Sequence, residues 1–208
     1  MPNTFLSSSV SDLLAAFASR EPTPGGGSAS ALAGAVGASL LVMVASLPKT
    51  RNGSDADRAA LASAIDALRP AAAELAALID RDADAYDRVV SAFRLPKSTD
   101  AEKAARRDAI QQETLGAIDT PTAMLSAAHV AARAAVVVAR HGNASAASDV
   151  KVAAALLDAA AAGAYENVAI NLSGLTDKAS AEALGGEAKR LWEAIGADTA
   201  AARAALGG

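Results

Sequence analysis

The sequence predicts an all-α protein, a helical bundle around a buried Ala/Gly-rich central helix. Three observations carry that expectation. Hydrophobic residues make up 52% of the 208 but aromatics only 3%, so the apolar mass is Ala, Leu and Val. Alanine is the best helix former, and runs of alternating β-branched residues are scarce. The stretch from Ser28 to Leu47 is long, uncharged and built largely from Ala, Gly, Ser and Leu. Its length would suit a membrane span, but other helices here are as Ala-rich, so it reads as a core helix whose Ala33, Gly34, Gly37 and Ala38 let neighbours come close. A chain of this length buries one substantial core, and no linker divides it, which gives a single helical domain over residues 1–208.

Taken in order, the first helix spans Val10–Ser19 behind Ser9 as cap, with Leu13, Leu14 and Phe17 facing inward. Pro22 and Pro24 then hold the chain extended. Gly25, Gly26 and Gly27 lead into the central helix, with Ser28 as its N-cap, and that helix ends near Pro48. A third helix runs from Asp55 to Phe93, interrupted or kinked at Pro70. After the loop Arg94–Lys97, the pair Thr99 and Glu102 forms a capping box for a fourth helix that ends near Ile118. Thr120 caps a fifth, with Pro121 at its first position, and His141-Gly142-Asn143 stops it. A sixth helix covers Ala144 to Asn171, and an amphipathic last one covers Asp177 to Leu206 with Leu184, Leu191, Trp192 and Ile195 inward.

Charge and composition exclude several function classes. The net charge is −4 with both signs interspersed, so no nucleic-acid footprint is visible and no nucleic-acid partner is expected. No membrane partner is expected either. Cysteine is absent, which rules out disulfides and thiolate chemistry and fits a reducing compartment. The N-terminal M-P-N-T-F lacks a basic n-region, so a cytoplasmic location is expected. His129 and His141 are far apart in the chain, and no metal-binding spacing occurs, so no metal is expected.

Two places break the apolar pattern. On the third helix Leu75, Leu78, Ile79, Tyr86, Val89, Val90 and Phe93 form one stripe, and Asp82 sits inside it. Asp80, Asp84 and Asp87 fall on another face. A carboxylate facing a core costs several kcal/mol, on the order of 3–5, unless it is paired or lines a cavity. Asp82 is therefore either a tuned acid–base group or half of a buried polar contact. On the sixth helix Asp149, Leu156, Ala160, Asn167 and Asn171 share a face, with Ala159, Ala160, Gly163 and Ala164 as a groove floor. Asparagine offers both donor and acceptor to a heterocycle edge, but it bridges helix backbones equally well. The Gly25–Ser28 turn is either a sharp helix entry or a cradle of free N–H groups for an anion or carbonyl. Its spacing is not that of a nucleotide loop. Lys49, Arg51, Arg94 and Lys97 flank these helices and offer cations for an anionic tail, or are simply solvated.

Five motifs in order bear a resemblance: P-T-P-G-G-G-S at Pro22–Ser28, D-R-D-A-D-A-Y at Asp80–Tyr86, R-L-P-K at Arg94–Lys97, G-N-x-x-x-x-S-D at Gly142–Asp149, and G-A-Y-x-N-V-x-I-N-L at Gly163–Leu172. Together they resemble the cyclodeaminase/cyclohydrolase family of folate enzymes over nearly the whole chain. The resemblance implies an all-α subunit, a bundle of long antiparallel helices, that forms a homodimer and acts on a tetrahydrofolate derivative, with no cofactor beyond that substrate. It places the catalytic carboxylate on Asp82, where the apolar stripe is also broken. It also puts Tyr86, Asn143, Asp149, Asn167 and Asn171 beside the substrate. One departure stands out. Where many members carry G-K-K-K-Y after the central helix, this chain has P-K-T-R-N-G-S, leaving Lys49 and Arg51 to replace part of the basic run. The resemblance implies hydrolysis of 5,10-methenyltetrahydrofolate to 10-formyltetrahydrofolate, or cyclisation of 5-formiminotetrahydrofolate with ammonia release. A non-catalytic folate-binding or structural dimer is the reading from another class.

Overall fold

The computed structural model describes residues 4–207 and contains, among them, six α-helices and no strand. They are α1 (Val10–Phe17), α2 (Gly26–Ala45), α3 (Asp55–Phe93), α4 (Asp100–His141), α5 (Ala147–Leu172) and α6 (Lys178–Ala205), with short 3-10 turns at Phe5–Ser7 and Ala144–Ala146. The all-α bundle expected from composition is what forms. Helix α2 packs between α3 and α5, while α4 lies against α3, α5 and α6.

Small residues set the centre of the bundle. A Cβ on Gly34 would sit 3.0 Å from Leu75 Cδ2 and 3.3 Å from Ala160 Cβ, and one on Gly37 would sit 3.0 Å from the Ala153 carbonyl. Residue numbers rise along α2 as their partners fall along α5, so the two helices run antiparallel. Both α2 and α4 are long and apolar enough to cross a membrane by composition, yet 56% of the apolar window in each is buried within the protein. Ala160 and Ala164 do not floor a groove. They are buried where α5 closes on α2.

Local chemistry explains the boundaries, including those that differ from expectation. Ser9, Ser54 and Thr99 cap α1, α3 and α4, the last through the full capping box with Glu102. Helix α1 is shorter than its pattern implies, and Leu14 faces outward. Helix α2 begins two residues before Ser28, with Gly25 as its N-cap. Ser28 is therefore inside the first turn, and its hydroxyl is spent elsewhere. Helix α3 runs through Pro70. That proline is exposed, so water can satisfy the carbonyl it leaves free, while buried Leu68 and Leu75 anchor both halves. The two helices expected on either side of Thr120 are one helix, α4, continuing through Pro121. Buried Ile118, Met124 and Leu125 flank the proline and hold the helix on course despite the missing N–H.

The stripe on α3 also resolves differently at its C-terminal end. Leu75, Leu78 and Ile79 are buried as expected, but Tyr86 and Phe93 are exposed, and Ala83, Ala85 and Ala92 face the core instead. Alanines let α3 approach its neighbours closely, which turns the large side chains outward onto the surfaces described next.

A cleft around a desolvated aspartate

Asp82 sits near the middle of α3, against the N-terminus of α2. Glycine makes that approach possible. A Cβ on Gly27 would overlap Asp82 Oδ1 and lie 2.7 Å from Oδ2. The Ser28 hydroxyl, fully buried, is 3.0 Å from Asp82 Oδ2 and 2.9 Å from the Ile79 carbonyl oxygen. Burial raises the Asp82 pKa above the usual carboxylate value, and hydrogen bonding from Ser28 offsets part of that rise.

Ser28 has one proton and two acceptors within reach. When Asp82 is ionised, the hydroxyl donates to Oδ2. When Oδ2 carries a proton, that proton is donated to Ser28 Oγ, whose own turns to the Ile79 carbonyl. Both protonation states keep their hydrogen bonds without moving a heavy atom, which suits a group that must gain and lose a proton.

Asp82 opens onto a cleft of about 340 Å³ whose walls come from four helices and the Pro22–Gly25 turn. Gly25, Gly26 and Gly27 contribute one wall, Ala85, Tyr86 and Val89 of α3 a second, Ala117 of α4 a third, and Asn167, Ile170 and Asn171 of α5 the fourth. Asn167 Nδ2 donates to the Gly163 carbonyl at 2.9 Å, and Asn171 Nδ2 donates to the Asn167 carbonyl at 3.0 Å. Those bonds fix each amide with its nitrogen toward the helix, and neither Oδ1 has a protein donor among the described residues. An adjoining hollow of about 580 Å³ shares Pro22, Thr23 and Tyr86 with the cleft and ends on Arg94.

A roomier depression than the cleft, about 490 Å³, lies between the C-terminal half of α3 and α4. Its Arg88 is spent on Glu113 at 3.3 Å, and Asp82 does not line it.

The structure thus brings together Gly25, Gly26, Gly27, Ser28, Asp82, Tyr86, Asn167 and Asn171, with Arg94 one hollow away. Lys97 is exposed on the loop after α3 and lines neither space. Lys49, Arg51, Asn143 and Asp149 lie at the other end of the bundle, roughly 25 Å along α2 from Gly27 at 1.5 Å per residue. There Arg51 donates to the Ala139 carbonyl at 2.9 Å, and Asn143 Oδ1 accepts from the Ser145 N–H at 3.0 Å. Asp149 occupies the first turn of α5. His141 Nδ1 pairs with buried Asp57 Oδ1 at 2.8 Å, and His129 Nε2 lies 3.5 Å from Asp198 Oδ2. Sequence reasoning did not find Ala117 or Ile170 as cleft residues, although Pro121, four residues after Ala117, marks where a helical carbonyl loses its donor.

The chain is similar to known proteins in both sequence and fold. The family model described as formiminotransferase-cyclodeaminase matches residues 9–190. The chain is 37% identical over 173 residues to a protein named methenyltetrahydrofolate cyclohydrolase from Methylorubrum extorquens, covering 83% of each. It is 35% identical over 159 residues to formimidoyltransferase-cyclodeaminase of Gallus gallus, covering 76% of this chain but only 29% of that longer protein. The crystal structure of formiminotetrahydrofolate cyclodeaminase from Thermotoga maritima superimposes with a TM-score of 0.84 at 25% identity, over 96% of both chains. With the motifs, the fold and these matches in agreement, the chain belongs to the formiminotransferase-cyclodeaminase family of enzymes.

Proposed function

We propose that this chain hydrolyses 5,10-methenyltetrahydrofolate to 10-formyltetrahydrofolate, with Asp82 as general base and then general acid. The observation that carries the reading is a half-buried carboxyl group at the wall of a cleft, able to keep its hydrogen bonds in either protonation state. The substrate's bridging carbon is an amidinium, cationic and already electrophilic. Ionised Asp82 stabilises that charge and takes a proton from the attacking water as the C–O bond forms. The resulting carbinolamine collapses when Asp82 returns the proton to N5. The N5–C bond breaks, the hydroxyl proton leaves to solvent as the formyl C=O forms, and the sum is one water consumed and one proton released. The N–H groups opening α2 face developing oxygen charge. Arg94, beyond Tyr86, stands where an anionic glutamate tail would reach.

Acid–base assistance of this kind is worth about 10²- to 10⁴-fold. An Asp82→Asn variant that stays folded is expected to lose turnover by that order, read as the decay of methenyl absorbance, and full turnover in the variant would end the assignment. Because burial raises the Asp82 pKa, activity is expected to fall with decreasing pH at values above the ordinary carboxylate pKa of about 4.

A second reading, cyclisation of 5-formiminotetrahydrofolate with loss of ammonia, is favoured by the likeness to the Thermotoga and Gallus proteins. Both reactions pass through a tetrahedral carbon between N5 and N10. Ammonia release measured beside methenyl loss separates them. The homodimer is likewise a proposal. Its support is the outer face of α2, where Val36 and Met43 are exposed on a helix with no charged residue.

A further inference from the structure

Pro121 stands inside α4, not at its start, and this has a consequence for the cleft. In an α-helix the carbonyl of residue 117 is bonded by the N–H of residue 121. Proline has none, so the Ala117 carbonyl is released by its own helix at a point where Ala117 lines the cleft. The only side chain that answers it among the described residues is Asn171, whose Nδ2 is 3.4 Å away, longer than the usual N–H···O bond of about 2.9–3.0 Å. The same Nδ2 already serves the Asn167 carbonyl at 3.0 Å. Beside it the two Oδ1 atoms of Asn167 and Asn171 are held facing away from their helix. The wall formed by α4 and α5 therefore offers three oxygen acceptors against one unspent donor, the second N–H of Asn167 Nδ2.

We infer that Ala117 is a specificity-determining residue. Its proline-released carbonyl, with the Asn167 and Asn171 side-chain oxygens, forms an acceptor row that reads the N–H donors on the amino-pyrimidine edge of the reduced pterin. The inference rests on the folate reading above and names how that site chooses its ligand. A ligand edge presenting a 2-amino group and a ring N–H matches such a row, whereas a ring edge of acceptors meets like dipoles and leaves buried groups unpaired, the arrangement that discriminates most sharply.

Pro121→Ala tests it by restoring the N–H that the Ala117 carbonyl lacks. The expected result in the methenyl assay is a KM raised about tenfold with kcat within about twofold, since the row binds the pterin edge and takes no part in the proton transfers assigned to Asp82. The 2-desamino-2-methyl analogue of the substrate, which has lost the donor, is expected to bind wild type about tenfold more weakly than the natural compound. In Pro121→Ala that penalty is expected to shrink. An unchanged KM in a folded Pro121→Ala protein overturns the inference, and so does a penalty undiminished by the substitution. Should the variant not fold, the analogue on wild type decides alone, because equal KM values for the two compounds leave nothing for the row to read. Loss of turnover in Asp82→Asn together with an unchanged KM in Pro121→Ala defeats this inference and spares the folate reading. Wild type that neither binds nor turns over a reduced folate defeats both.

Discussion

At the scale of single residues, the placement of the Asp82 carboxyl group depends on an absence. Gly27 has no side chain, and the space a methyl group would need is occupied by Asp82. Alanine favours helix over glycine by about 1 kcal/mol, so Gly27→Ala is expected to leave helicity intact while pushing the carboxyl group off its Ser28 contacts. A misplacement on the order of 1 Å costs roughly 10²-fold. Turnover is therefore expected to fall by that order with an unchanged circular dichroism spectrum, and near-normal turnover would contradict the geometry. The same device recurs at Gly163, where a Cβ would overlap Ser30 Oγ, whose hydroxyl bonds the Gly26 carbonyl at 2.7 Å. Asp82 was legible as a break in an apolar stripe and as a motif position. The role of Gly27 was not, because a glycine run in sequence does not say which neighbour fills the missing volume.

At the scale of elements, the long hairpin of α3 and α4 is tied at the end opposite the cleft. Asp57, in the first turn of α3, accepts from the Asn52 N–H at 2.8 Å and pairs with His141 in the last turn of α4. The His141 hydrogen bond, followed by that of Asn52, holds the Asp57 pKa well below the usual carboxylate range. The sign follows directly. A group with a depressed folded pKa contributes stability that is fully present above its unfolded value, about 3.9, and is lost as pH falls through the lower folded value. Asp57→Asn is thus expected to unfold at lower denaturant concentration than wild type at neutral pH, with a gap that narrows only below about pH 4. A constant gap down to pH 2 would place the effect in packing rather than in charge. The capping box at Thr99 was readable from four residues. The continuity of α4 was not. Thr120-Pro121 has the local chemistry of a helix start, and only the buried Ile118, Met124 and Leu125 on either side decide that the helix passes through.

At the scale of the whole molecule, one apolar helix holds the bundle together and still shows a face to the outside. On α2, Ala31, Ala38 and Leu41 are fully buried, while Val36 is 43% and Met43 41% exposed. If that face pairs two subunits, Val36→Glu is expected to yield a monomer by light scattering at micromolar concentration with its helicity retained, and a wild-type monomer would remove the proposal. Composition and periodicity were enough to determine an all-α chain with an Ala/Gly-rich centre, because helix propensity and small-residue spacing act over a few neighbouring residues. Motif order was enough to point to the family and to Asp82. Which candidates share one cleft was decided only by tertiary structure. Lys49, Arg51, Asn143 and Asp149 look interchangeable with Arg94 and Asn167 as polar residues beside helices. The antiparallel course of α2 and α5 carries them to the far end, and a direction of packing between helices is a long-range property that no local window of sequence contains.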